Sequence, residues 1–332
     1  MPLNKIHIIH AEASGSDRQT QQIIDKLTSR LGKVTDRIGK IMDEVAISAE
    51  TSNAYWNSVN SRLRAEYAEA RSIIKSWAEN EIPKEYQSRL ASTIRKLKSR
   101  VFDTQNPVDY KSFKDTNAVK QSMRALTTET LASFDVGLRS GEKTLLRLTS
   151  VTHQVLLSER AVNKAVAEGF FEQGSGSASK RRLRDELMKK ALDGKYVTVV
   201  NKNGKPVQYG IDNYSELVAR TKLMEASTQA VLDTAQTVGS DLVQVSVHNT
   251  LCAVCAQFEG KVFSLSSSDP DFPPLEDEPP YHPNCMHSLS ITFREGMARD
   301  GTLEKYVDFS TGETEEHPTR AGWIPLAERK LT

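Results

Sequence analysis

Apolar residues recur at spacings of three and four along most of the chain up to Glu168, and this periodicity restricts the fold more than any other feature. Such spacing places side chains on one face of an α-helix. We therefore predict an elongated α-helical N-terminal region, a bundle or arm, with a coiled-coil oligomer as the alternative. The first seam is Leu27, Leu31, Val34, Ile38, Ile41 and Val45, and the second is Val59, Leu63, Tyr67, Ala70, Ile74 and Trp77.

Proline and glycine predict where these helices end. A first helix is expected from Asp17 to about Ser48, and Ile82-Pro83 is expected to break the second, because proline lacks the amide that a helix interior needs. A third helix is expected to end near Asn106-Pro107. The last two are predicted over Asn117 to Phe134 and Glu142 to Glu168, separated by Gly137 and Gly141.

Beyond Gly194 the apolar period changes from helical to two, which predicts strands. We expect a hairpin, a helix and three short strands, so the fold class is α+β: the helical region followed by a small α+β module. The predicted hairpin pairs 196–200 with 207–209, the helix runs from about Tyr214 to Val238, and the strands lie near 243–247, 261–264 and 288–293. The predicted domains are 1–172 (helical bundle or arm), 173–194 (Gly/Ser linker and basic helix), 195–298 (module) and 299–332 (extended polar tail).

Composition excludes several other classes. Aromatic residues make up 7% of the chain, with Gly 17 and Pro 12, which is poor material for an all-β fold. The formal net charge of +1 argues against a general nucleic-acid coat. No stretch approaches the roughly 18 apolar residues of a membrane span, so we expect no membrane partner.

The three cysteines predict a metal site, because all of them lie in one short stretch with ligand-like spacing. A Cys-x-x-Cys pair, Cys252 and Cys255, is followed 27 residues later by His282-Pro-Asn-Cys285-Met-His287. Zinc prefers four sulfur or nitrogen ligands in a tetrahedron. We expect structural zinc bound by Cys252, Cys255 and Cys285 with one histidine, preferably His282 and alternatively His287.

Two other interpretations of these residues stay open. The cysteines could be a redox pair or free thiols, although a redox pair leaves the third cysteine and both histidines unexplained. A catalytic metal would keep one open position and need a nearby base, for which His248 and Glu259 are the candidates.

A basic segment follows the linker and is a weaker candidate site. Its cations, Lys180, Arg181, Arg182 and Arg184, could contact phosphate backbone or an acidic partner. A solvated helix face beside a linker is the simpler interpretation.

Several short motifs together resemble the C-terminal module of phage minor capsid, or head morphogenesis, proteins. The group is similar to the Mu F protein and to phage minor capsid protein 2, and the likeness covers roughly 212–296. Relatives usually carry Arg where this chain has Met286. The motifs are Tyr214-Ser-Glu-Leu-Val-Ala-Arg-Thr221, Asp241-Leu-Val-Gln-Val-Ser246, Cys252-Ala-Val-Cys255, Glu259-Gly-Lys-Val-Phe263, Pro273-Pro274 and His282-Pro-Asn-Cys285-Met-His287.

The resemblance implies a minor structural protein of a tailed-phage head that acts in head morphogenesis near the portal. It implies the portal and/or the major capsid protein as partners, packaged DNA as a further candidate, and no small-molecule substrate. The expected location is the virion, and the host cytoplasm during assembly. We therefore expect no enzyme. The alternatives are a metal-dependent hydrolase or nuclease-type effector using the same metal site, and a DNA-binding module of the virion interior.

Overall fold

The structure, a computed structural model of the chain, describes residues 15–48, 51–100, 110–157, 196–200, 204–248, 250, 252–269, 271–292, 304–307 and 314–317. The segment from Lys180 to Arg184, the linker before it, and the predicted helix ends near Asn106 and Glu168 lie outside these residues. The predictions made for them therefore stay predictions.

Among the described residues, four helices precede the first strand, and the apolar seams predicted from the sequence lie on the buried faces of the first two. Leu31, Val34 and Ile38 in the first helix are fully buried, as are Leu63 and Tyr67 in the second. The helices are α1 (Gly15–Ile47), α2 (Asn53–Arg100), α3 (Tyr110–Lys114) and α4 (Asn117–Leu157). The predicted class, a helical N-terminal region followed by a small strand-containing module, is confirmed.

The predicted break at Pro83 is wrong, because α2 continues through it. Proline removes one backbone hydrogen bond and crowds the carbonyl four residues earlier. Burial on both sides outweighs that local cost, since Ile82 and Tyr86 are fully buried.

The predicted separation of two helices at Gly137 and Gly141 is also wrong, because α4 runs through both glycines. Each glycine instead allows a close approach. A Cβ at Gly141 would lie 1.7 Å from the carbonyl oxygen of Tyr196, and one at Gly137 would lie 2.4 Å from the ring of Tyr214.

The chain divides into two compact units, each made of two sequence segments. Unit 1 comprises Met1–Ile74 and Phe134–Glu216, and unit 2 comprises Lys75–Ser133 and Leu217–Thr332. The predicted domain boundaries at 172 and 194 fall outside the described residues and stay predictions.

Unit 1 contains the predicted hairpin, formed by β1 (Val197–Val200) and β2 (Pro206–Tyr209) in antiparallel register. Just before β1, the carbonyl oxygen of Tyr196 accepts a 2.8 Å hydrogen bond from the hydroxyl of Tyr67. Arg71 forms ion pairs with Asp135 and Glu142. The polar groups just named, which lie in or beside the apolar core of this unit, are therefore satisfied by hydrogen bonds or ion pairs.

Unit 2 contains helix α5 (Ile211–Val238) from Leu217 onward, a three-stranded antiparallel sheet and the one-turn helix α6 (Ala253–Ala256). The sheet has the order β4-β3-β5, with Val243 paired to Phe263 on one side and to Ile291 on the other. Its inner face packs on Val231 and Ala235 of α5. The strands are β3 (Leu242–Val245), β4 (Val262–Ser264) and β5 (Leu289–Thr292).

Two further strands, β6 (Glu304–Val307) and β7 (Thr314–His317), form an antiparallel pair. They lie within the stretch predicted as an extended polar tail. The backbone of these two segments is therefore extended, and the two strands are hydrogen-bonded to each other.

Candidate metal centre

The first pair of cysteines lies on a tight turn between β3 and β4. Cys252 is the N-cap residue of α6 and has extended backbone angles. Cys255 lies inside this single helical turn and is 1% exposed. Gly260, with a φ of 76°, ends the turn before β4 begins. The two sulfurs are thus presented by one short, hydrogen-bonded loop, as the Cys-x-x-Cys spacing predicts.

The second pair of donors lies on a loop just ahead of β5. The amide of Cys285 donates a 3.0 Å hydrogen bond to the carbonyl of His282, which closes this turn. Asn284 adopts a positive φ of 67°, a conformation that asparagine tolerates better than most residues. Arg220 of α5 donates a 3.0 Å hydrogen bond to the Asn284 side chain. The helix therefore helps to hold the second loop.

Five donor side chains converge from these two loops. Cys252, Cys255 and His282 form one group in which all ligand atoms lie within 4.8 Å of one another, and Cys255, Cys285 and His287 form a second. Cys255 belongs to both groups. The structure thus brings together all five residues that the sequence nominated.

The distances among Cys255, Cys285 and His287 fit a tetrahedral zinc centre, whereas His282 lies closer to Cys252 and Cys255 than such a centre requires. Bonds of about 2.3 Å to sulfur and about 2.0–2.1 Å to nitrogen place two sulfurs about 3.8 Å apart, and a sulfur and a nitrogen about 3.6 Å apart. The Sγ atoms of Cys255 and Cys285 are 3.8 Å apart, and Cys285 Sγ lies 3.5 Å from His287 Nδ1. His282 Nε2 lies 3.3 Å from Cys252 Sγ and 2.9 Å from Cys255 Sγ.

His282 is oriented by its own loop. Its Nδ1 lies 2.7 Å from the carbonyl oxygen of Pro283, which can only accept a hydrogen bond. In a neutral ring this contact places the proton on Nδ1, which leaves the lone pair of Nε2 facing Cys252 and Cys255.

The environment of the thiols differs across the site. Burial opposes ionisation of Cys252, but backbone amides of Cys255 and Val254 donate to its sulfur and hold the pKa of this thiol below its usual value. Burial and the neighbouring sulfurs of Cys285 and Cys252 raise the pKa of Cys255. A bound cation would favour the thiolate form of Cys255, which burial and its neighbours disfavour.

His287 is the most enclosed donor nitrogen. Burial lowers its pKa, opposed by the nearby carboxylate of Glu259, so the imidazole favours the neutral form that binds metal. Its ring packs edge-on against His248, with centroids 5.0 Å apart. Tyr281 and Phe258 stack at 4.1 Å and link the two loops. Sequence reasoning missed this aromatic pair, although each ring lies within three residues of a donor.

The comparisons with known proteins assign the chain to a class. A family model described as phage minor capsid protein 2 matches residues 66–306, well over half of the chain. The match defines a structural protein of a phage head, and it reaches into the helical region beyond the motifs recognised in the sequence. The chain belongs to the phage minor capsid protein 2 family.

Membership of this family indicates where the protein acts. The family indicates a structural role in the virion, among other virion proteins. Among the described residues, every helix is too short or too polar to cross a bilayer. No curated protein and no solved structure shows a significant match to this chain.

Proposed function

We propose that the protein is a minor component of a tailed-phage head that acts in head morphogenesis near the portal, without catalysing a reaction, and that one structural zinc ion stabilises its α+β module. The convergence of five sulfur and nitrogen donors on Cys255 is the observation that supports the zinc. Thiolate and imidazole together favour zinc over magnesium or calcium, which prefer oxygen ligands.

A structural role suits this site better than a catalytic one. A catalytic zinc keeps one position for water, whereas a structural zinc is closed by four protein ligands. The three cysteines with either histidine would make up those four ligands, drawn from the two groups that share Cys255. The free energy of zinc binding would then stabilise a module whose sheet, in the described residues, has three short strands.

Glu259, the base that a hydrolase would use, is poorly placed for that task. The residue is 2% exposed, and its carboxylate accepts hydrogen bonds from the backbone amides of His248 and Thr250. A general base must reach the proton of a substrate or of an attacking water. These contacts favour a structural role for the residue.

The partners we propose are the portal and/or the major capsid protein, met in the host cytoplasm during assembly, and no small-molecule substrate. Packaged DNA is a further candidate partner, contacted through Lys180, Arg181, Arg182 and Arg184. Phosphate contacts by these cations would make binding weaken steeply with salt.

Peptide mass spectrometry of density-purified particles tests the proposal, with the major capsid protein counted in the same digest as an internal standard. We expect a few copies per particle that resist salt washing, together with cross-links to the portal. Absence of the chain from washed particles would contradict the proposal that it is a head component. That result would favour an assembly factor that leaves before the head is complete, or a hydrolase using His248 and Glu259.

A further inference from the structure

Glu259 connects the metal-site loops at a buried position. It lies in the turn after α6, where its amide donates a 3.1 Å hydrogen bond to the carbonyl oxygen of Cys255. Its side chain carries a charge yet is almost inaccessible, with 1% of the side-chain surface exposed. A buried carboxylate is tolerated only where donors or cations satisfy it.

Two of those donors are backbone amides of the loop that leads to Cys252. Thr250 donates to Oε2 at 3.1 Å, and His248 donates to Oε1. Thr250 in turn accepts a 3.1 Å hydrogen bond at its hydroxyl from the amide of Cys252. The carboxylate therefore anchors the segment that carries the first cysteine.

The third group facing this carboxylate is the imidazole of His287. Its Nε2 lies 3.6 Å from Oε1 of Glu259, just beyond hydrogen-bond distance, and is buried with no hydrogen-bond partner among the described residues; the side chain is 3% exposed. The other ring nitrogen, Nδ1, lies 3.5 Å from Cys285 Sγ. A neutral imidazole has one proton, so a ring that binds metal through Nδ1 must carry that proton on Nε2, which faces Glu259.

We propose that Glu259 is the positioning residue of the metal centre: it accepts the Nε2 proton of His287 and thereby makes His287, bound through Nδ1, the histidine ligand beside the three cysteines. This inference rests on the proposed metal site and assigns its fourth ligand. His282, which is partly exposed, then lies beside the completed site as the surplus donor.

A carboxylate paired with a ligating histidine fixes the tautomer and the ring orientation, and raises the basicity of the ligand. Removing such a partner lowers metal affinity by about 10- to 100-fold. If Glu259 only anchored the loop of His248 and Thr250, its removal would weaken zinc binding equally with or without His287. If Glu259 positions His287, its removal weakens zinc binding only when His287 is present.

The test measures zinc affinity of the full-length chain by chelator competition, with Cys285→Ser as a ligand-loss reference. We expect Glu259→Gln to weaken binding about 10- to 100-fold, while Glu276→Gln, the same change at an exposed site, leaves it unchanged. We expect no further loss when Glu259→Gln is added to His287→Ala, since the two residues act as a unit. The visible bands of the cobalt-substituted protein should shift in Glu259→Gln and in His287→Ala but not in His282→Ala.

Independent losses from Glu259→Gln and His287→Ala, or equal affinities of the two glutamate variants, would overturn the assignment. Should Glu259→Gln fail to fold, Glu259→Asp is the alternative, because it keeps the negative charge but moves the carboxylate away from Nε2 of His287. It should lower zinc affinity by a smaller factor, and should lower it no further in a chain that already carries His287→Ala. Failure of the unaltered chain to bind zinc or cobalt would instead refute the metal site itself.

Discussion

The carbonyl oxygen of Tyr196 lies directly over Gly141, where a Cβ atom would be only 1.7 Å away. The same oxygen accepts the hydrogen bond of Tyr67. A backbone atom held in this way cannot move aside as the end of a flexible side chain can. The contact explains why a glycine lies in the middle of α4.

Gly141→Ala should lower the free energy of unfolding by about 3 kcal/mol, at the upper end of the usual cost of overpacking. The added methyl group must displace the Tyr196 carbonyl and weaken its bond to Tyr67. Urea denaturation followed by circular dichroism measures the change. Gly32→Ala in α1 is the matched control, because a Cβ there meets nothing within 4 Å, and it should raise stability by up to about 1 kcal/mol. Equal effects of the two substitutions would contradict the close approach.

Replacing Pro83 should stabilise the protein. Alanine restores the missing amide hydrogen bond and relieves the clash with the carbonyl of Glu79, and proline costs a helix interior about 3 kcal/mol relative to alanine. We expect Pro83→Ala to raise the midpoint of thermal unfolding, and Ser88→Ala, at an exposed position of the same helix, to change it much less. A lower midpoint in Pro83→Ala would mean that the packing of Ile82 and Tyr86 requires the proline.

Loss of the metal should unfold the α+β module and spare the first helices. In Cys252→Ser, or after chelation, we expect backbone amides of β3 and β5 to exchange rapidly in hydrogen–deuterium exchange, while α1 stays protected. Val254→Ala, which alters an exposed side chain of the same turn, is the control. A module that still melts cooperatively in Cys252→Ser would contradict a structural role for the metal.

The helices and strands were largely predictable because burial repeats with the period of each element. Leu31 and Val34 are buried since they share one helical face, and Val243 and Val245 since they share one face of a strand. Pro83 and Gly141 were wrongly predicted to interrupt helices, because their effects depend on tertiary contacts that local sequence patterns do not show. A proline is tolerated where neighbouring residues pack well, and a glycine can be required by a carbonyl that lies 55 positions further along the chain.

The metal-binding side chains of the candidate site could be predicted from the sequence, but the residues that contact and position them could not. Metal ligands follow spacing rules, so Cys252, Cys255 and Cys285 could be nominated directly. The contacts of Glu259 depend on how the loop of His248 and Thr250 folds back, which no local pattern encodes. The sequence suggested this glutamate as a base, whereas its contacts fit a residue that positions others.

The alternation of the two units along the chain has a consequence for biosynthesis. When Ile74 leaves the ribosome, unit 1 still lacks Phe134–Glu216, and Tyr67 must wait for an acceptor 129 residues further on. The whole of Lys75–Ser133 is synthesised in between, before its own partner segment exists. Nascent chains therefore hold two incomplete cores at once, which is the condition under which chaperones are most needed. For the same reason any single truncation point leaves at least one unit incomplete, so internal deletions that respect both segments of a unit are the appropriate way to dissect this protein.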